Sequence, residues 1–174
     1  HLLTSTGIPM LLMGEEVRSP QQGNNAADPT AEASNIVDWN TLRPAHADLT
    51  GFFAALIKLR IDHPALRPAA ADPGAASRFG WFMDNGWKGW NLGYTHKGTS
   101  GDNNFVVLVN YSHTTAETFA VSFPVLGNWY VMCDGVNATN NAPGLGSWSI
   151  TTTTSNITVS PTNALIFMSA GQNP

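Results

Sequence analysis

GIPMLLMGEEVRSPQQGNN, residues 7–25, joins a nearly unbroken apolar run, Ile8–Met13, to an abruptly polar one. A short apolar run between turn residues predicts a strand buried on both faces, as in a parallel sheet. Pro9 lacks an N–H and fits best near the start of that strand. Gly14 closes the run, and Glu15, Glu16, Arg18, Gln21, Gln22, Asn24 and Asn25 follow. Ligands of parallel α/β sheets sit at the carboxyl ends of the strands, so this loop is expected to face a site. Planar amides and a guanidinium present paired donors and acceptors to vicinal hydroxyls. Arg18, Gln21, Gln22, Asn24 and Asn25 are therefore candidates for binding sugar hydroxyls, and Glu16 is counted among the candidate binding residues with them. The alternative is an ordinary polar loop held by its own side-chain–backbone bonds.

Downstream, Asp28-Pro29 marks a turn, and Ile36-Val37-Asp38-Trp39 supplies an apolar anchor. DLTGFFAALIKLRIDH, residues 48–63, predicts a helix, with Asp48 as N-cap. Leu49, Phe52, Phe53 and Leu56 share one face at i, i+3, i+4, i+7 spacing, and Ile57 and Leu59 widen it. Lys58, Arg60 and Asp62 fall on the polar side. Pro64 restricts His63 and ends the helix.

AAADPGAA, residues 69–76, is a composition shift, and a domain boundary is expected there. Beyond it the pattern turns to β. Strands are predicted at Arg78–Met83, Gly89–Thr95, Phe105–Asn110, Glu117–Phe123, Trp129–Asp134, Trp148–Thr153, Asn156–Val159 and Ala164–Met168. Phe119, Val121 and Phe123 alternate onto one face. Gly, Asn, Pro and Ser clusters separate these runs. That punctuation predicts an antiparallel eight-stranded β-sandwich of Greek-key type.

Composition narrows the partners. The formal charge is −4, with 8 Lys and Arg against 12 Asp and Glu, and no basic stripe is present to neutralise phosphates. Nucleic acid and anionic membranes are therefore not expected partners. The apolar runs are too short to cross a bilayer as a helix. The single cysteine, Cys133, forms neither an intrachain disulfide nor a cysteine metal cluster. The compartment stays open between the bacterial cytoplasm and secretion. A start at His1, close to a buried strand, suggests a fragment or a processed piece.

GIPMLLMGEE followed by Gln21-Gln22-Gly23-Asn24-Asn25 resembles the eighth barrel strand and following loop of α-amylase-superfamily (family 13) glycoside hydrolases. The match is to the isoamylase and glycogen debranching branch. Glu15 stands where an Asp is usual, Ser19-Pro20 replaces an Arg-Thr neighbourhood, and Ala26-Ala27-Asp28 follows Asn25. Asp38-Trp39 is similar to a later segment of the same enzymes. LIKLRIDHPALRP, residues 56–68, is similar to their last barrel helix and its exit. The resemblance implies that residues 1–68 are the last strand, substrate loop and last helix of a (β/α)8 barrel. Residues 77–174 would then be the C-terminal sandwich. The parent would hydrolyse α-1,6 branch linkages of glycogen or starch, with retention through a glycosyl-enzyme intermediate. Its partner would be an α-glucan such as glycogen, amylopectin or a maltooligosaccharide.

The same resemblance places the nucleophile, the acid/base and the third carboxylate on strands upstream of His1. No catalytic residue is thus expected in this chain, which alone should hydrolyse nothing. The adjacent Glu15 and Glu16 do not replace them. Glycosidases need two carboxyls on opposite sides of one bond, about 5–9 Å apart, and neighbouring strand residues point apart. One of the two is expected to cap the loop or pair with Arg18. Trp81 is expected in the core, whereas Trp87, beside Gly86 and Lys88, is a candidate for stacking on a sugar ring. His63 reads as structural. No HExxH, CxxC or EF-hand spacing occurs, so neither a metal nor a cofactor is expected. Asn110, Asn137 and Asn156 begin N-x-S/T triplets, which matter only in a eukaryotic secreted protein. Left in water, the large side chains of Ile8–Met13 forfeit roughly 1.5–3 kcal/mol each. The segment is therefore expected to fold back, to dimerise or to pair with a separate barrel portion. A stand-alone carbohydrate-binding sandwich and a purely structural one are the rival readings.

Overall fold

The computed structural model describes residues 1–20, 36–68, 75–82 and 91–172. Gln21, Asn24, Asn25, Trp87, the Asp28-Pro29 turn and most of the expected boundary at 69–76 lie outside them. Contacts divide the chain into two compact units, His1–Pro9 with Ala55–Pro174, and Met10–Ala54.

The larger unit is built on eight strands among the described residues. They are β1 Phe79–Trp81, β2 Asn91–His96, β3 Asn103–Asn110, β4 Glu117–Ser122, β5 Gly127–Cys133, β6 Ser147–Ile150, β7 Thr154–Val159 and β8 Asn163–Gln172. Six form one antiparallel sheet in the order β1-β2-β3-β8-β5-β6, and β4 and β7 pair in a second. The chain crosses to the second sheet at β4, comes back at β5, crosses again at β7 and comes back at β8. β8 then returns to lie beside β5, the return step of a Greek key. All eight predicted strands are present, with ends shifted by a few residues.

Register explains the burial. Val106 lies opposite Thr95 and Phe167, and Leu108 opposite Gly93 and Leu165, so these residues share the inner face. Phe119 and Val121 of β4, with Ile157 and Val159 of β7, close over them, and Trp129, Phe123 and Ile150 complete the core. β4 alternates because its other face is solvated. β3 is buried at every position, because its outer side chains are covered as well. On that outer face Phe79 lies opposite His96, Trp81 opposite Tyr94, and His96 opposite Phe105. Trp81, expected in the core, is 58% exposed. It sits at the end of the short edge strand, beyond which no described strand pairs.

In the smaller unit, α1 spans Trp39–Ala45, and the Asp38 carboxylate caps it by accepting from the Thr41 amide at 3.3 Å. Sequence periodicity missed this helix, which is short and carries Pro44 near its end. The expected apolar anchor is corrected: Ile36 and Trp39 are exposed, and the segment starts a surface helix. The predicted helix is α2, Ala47–Asp62, whose residues from Ala55 onward belong to the larger unit. It begins earlier than expected, since the Thr50 amide already donates to the His46 carbonyl at 3.0 Å. Asp48 therefore lies in the first turn, where its charge suits the helix dipole, rather than at the cap. Pro64 ends the helix as expected, with His63 extended. Leu56 and Leu59 are buried, whereas Ile57 is exposed.

The expected barrel strand is not formed. Ile8–Met13 belongs to no sheet, and Ile8 is 95% exposed and Met10 84% exposed. A doubly buried strand exists only between two hydrogen-bonded neighbours, and none of the eight strands pairs with this run.

Candidate functional site

The polar half of the opening stretch starts with a rigid turn. Gly14 adopts φ 99°, and an added Cβ would stand 2.8 Å from Ser19 Cβ. Only glycine suits that conformation at no cost. One turn of 3-10 helix, Glu15–Val17, follows, with the Val17 amide on the Gly14 carbonyl at 3.2 Å. The Ser19 amide returns to the same carbonyl at 2.9 Å. Val17 is wholly buried and anchors the turn. Thr50 Oγ1 lies 3.1 Å from the carbonyls of both Glu16 and His46, tying the turn to the first turn of α2.

Glu16 and Arg18 therefore stand on fixed backbone. Glu16 Oε2 accepts from the Gly14 amide at 3.0 Å, so this carboxylate caps its own turn. Arg18 is exposed, adopts a left-handed conformation (φ 51°, ψ 43°) and pairs with neither Glu15 nor Glu16. Of the two uses expected for the acidic pair, capping is the one observed. Gln21, Asn24, Asn25 and Trp87 are outside the described residues, so only Glu16 and Arg18 of the candidate set are placed. A carboxylate and an exposed guanidinium are groups that can exchange hydrogen bonds with hydroxyls. They do not place two carboxyls across a bond. Among the described residues no three His, Cys, Asp or Glu side chains gather as metal ligands do.

A second polar cluster was not legible in the sequence. Arg60, expected on the polar side of its helix, is buried. Its Nη1 donates to the carbonyls of Leu3 at 3.0 Å and Ser5 at 2.8 Å, and its Nη2 to that of Gly7 at 2.6 Å. The intervening Thr4 carbonyl accepts from His96 Nε2 at 2.8 Å, and Thr4 Oγ1 meets Tyr94 Oη at 2.7 Å. Burial pushes the Tyr94 phenol up to about 12. It pushes His96 down to about 4, and the Arg60 charge adds to that. His96 is thus neutral at pH 7 with its proton on Nε2. Nearby, His63 Nδ1 lies 2.9 Å from Asp102 Oδ1, and the Ala65 amide donates to Asp102 Oδ2 at 2.7 Å. Burial tends to raise the Asp102 carboxyl, but these bonds hold it below the usual carboxylate range. Carbonyls 53 to 57 residues away leave no trace in sequence spacing.

No family model matches the chain. It is 48% identical over 66 residues to the glycogen debranching enzyme of Serratia proteamaculans (strain 568), covering 38% of this chain and 10% of that protein. It is 48% identical over 65 residues to the glycogen debranching enzyme of Yersinia enterocolitica, covering 37% and 9%. The chain thus matches a tenth or less of these relatives' length. Among solved structures it resembles the product complex of the multi-modular glycogen-degrading pneumococcal virulence factor SpuA. That TM-score is 0.59 at 20% identity, over 79% of this chain and 15% of the other, which speaks to fold alone. Fold and sequence together make the chain similar to the C-terminal part of a family 13 glycoside hydrolase. Within that class its likeness in sequence is to glycogen debranching enzymes.

Proposed function

We propose that this chain is the C-terminal portion of an α-glucan debranching glycoside hydrolase and is not catalytic by itself. Residues 1–68 would complete the (β/α)8 barrel and residues 77–174 would form its sandwich. The observation that carries the reading is the run Ile8–Met13: strand-like in sequence, uncovered in this chain, and followed directly by the rigid turn at Gly14. Missing barrel strands would pair its backbone and bury its side chains, removing the exposure that is costly in water. The turn would then stand at the carboxyl end of a barrel strand, where substrate binds in such folds. Glu16 and Arg18, with Gln21, Asn24 and Asn25, would contact glucan hydroxyls. Hydrolysis would be carried out by carboxylates of the absent strands, as an acid and a nucleophile flanking the α-1,6 bond. Association with the missing barrel portion is the partnership this favours, with a homodimer as the substitute when that portion is withheld.

Co-expression with the reading frame that precedes residue 1 tests the proposal. The pure chain should release no reducing ends from amylopectin, and the joined protein should. Turnover by the pure chain would refute it. A glucan-binding sandwich is the second reading, favoured by the exposed ring of Trp81. Titration with maltoheptaose decides it: saturable binding lost in W81A or W87A supports a binding module, and no binding supports a structural sandwich.

A further inference from the structure

The chain leaves the sandwich unit after Pro9 and rejoins it at Ala55. Arg60 lies on the returning stem, and every hydrogen bond described for its guanidinium goes to the leaving stem. We infer that Arg60 is a positioning residue, a staple that joins the two stems of the segment carrying the Gly14–Arg18 turn and fixes where that segment departs. The inference rests on the reading of that turn as glucan-binding.

The geometry gives the staple its strength. Residues 3–7 pair with no strand, so their carbonyls have no ladder of backbone donors and need other partners. A guanidinium presents its N–H groups in one rigid plane, and three of them here reach three carbonyls in a charge-assisted fork. The Thr4 carbonyl, between two of those held by Arg60, goes instead to His96, so the stem is gripped by two different side chains. The grip stops at Gly7, whose carbonyl is the last one held. Gly7 adopts φ 92°, a left-handed turn, and the next residue, Ile8, is 95% exposed. The last fixed point thus immediately precedes the run that must meet the barrel. Only main-chain carbonyls are read, so the leaving stem needs no particular side chains for this contact. A lysine keeps the charge but brings one nitrogen in place of the planar fork, and cannot reproduce it.

The test uses the complete enzyme and this chain in parallel, with R60K and with V121A as a core control. Kinetics on amylopectin are measured for the enzyme, and hydrogen exchange at Leu3–Gly7 for both. R60K should speed exchange across Leu3–Gly7 tenfold or more and raise KM at least fivefold, with kcat within twofold of the parent. V121A should lower Tm without raising KM. Unchanged exchange in R60K overturns the staple. Unchanged KM in R60K, or an equal rise in V121A, overturns the positioning role. An inactive wild-type enzyme would count against the glucan reading, while exchange in this chain would still decide the staple.

Discussion

His96 makes stability depend on pH between neutrality and mild acid. In the unfolded chain its imidazole protonates near 6.5. In the folded protein burial depresses this to about 4, with the ring held at the Thr4 carbonyl and near the Arg60 charge. Between those values the unfolded chain binds a proton that the native state does not. Unfolding therefore takes up a proton, and stability falls as pH falls from 6.5 towards 4. Below 4 both states are protonated and the effect is complete. The shift corresponds to about 3 kcal/mol in full, of which about 2 kcal/mol is lost between pH 7.5 and 5. That is a large share of the 5–15 kcal/mol typical of a domain. The depressed carboxyls of Asp102 and Asp134 have the same sign but act in a lower range. Urea unfolding followed by tryptophan fluorescence at half-unit pH steps from 7.5 to 5 measures the slope. H96Q keeps an amide donor for the Thr4 carbonyl and has no titration, so it should flatten the curve. A wild-type midpoint constant from pH 7.5 to 5, or an unchanged slope in H96Q, would rule out His96 as the source of the pH dependence.

Three further outcomes are expected. G14A forces a left-handed conformation on a β-carbon that meets Ser19, and should destabilise the turn by about 1–3 kcal/mol, seen as faster exchange at the amides of Glu15–Ser19. F167A removes a wholly buried ring from the centre of the sandwich, and should cost about 3–5 kcal/mol in urea unfolding of the larger unit. E16Q keeps an acceptor for the Gly14 amide but loses the charge; in the complete enzyme it should raise KM for amylopectin severalfold and move kcat less, whereas an unaltered KM would remove Glu16 from the binding set.

Much of the sandwich was legible because its strands carry their own punctuation. The continuous run at Phe105–Asn110 announced a strongly buried strand, and the alternation from Phe119 to Phe123 announced one with a single apolar face. Both signals are local, and the long-range pairing only realises them. Ile8–Met13 sent an equally local signal and formed no strand, since a strand is completed by neighbours and none of the described strands pairs with it. Trp81 misled in the opposite sense: its composition suits a core, but β1 is an edge. Arg60 and His96 were illegible for another reason. Their partners are main-chain carbonyls far away in sequence, which no residue pattern encodes. In the candidate loop, capping by one of the acidic pair was an expectation, but that Glu16 is the one that caps needed coordinates.

The most direct test of the account is a reducing-end assay on amylopectin with three samples: this chain alone, the upstream barrel portion alone, and the two together. Turnover is expected only when they are combined, accompanied by protection of the Met10–Met13 amides from exchange. Hydrolysis by this chain alone, or full activity of the upstream portion without it, would contradict the account.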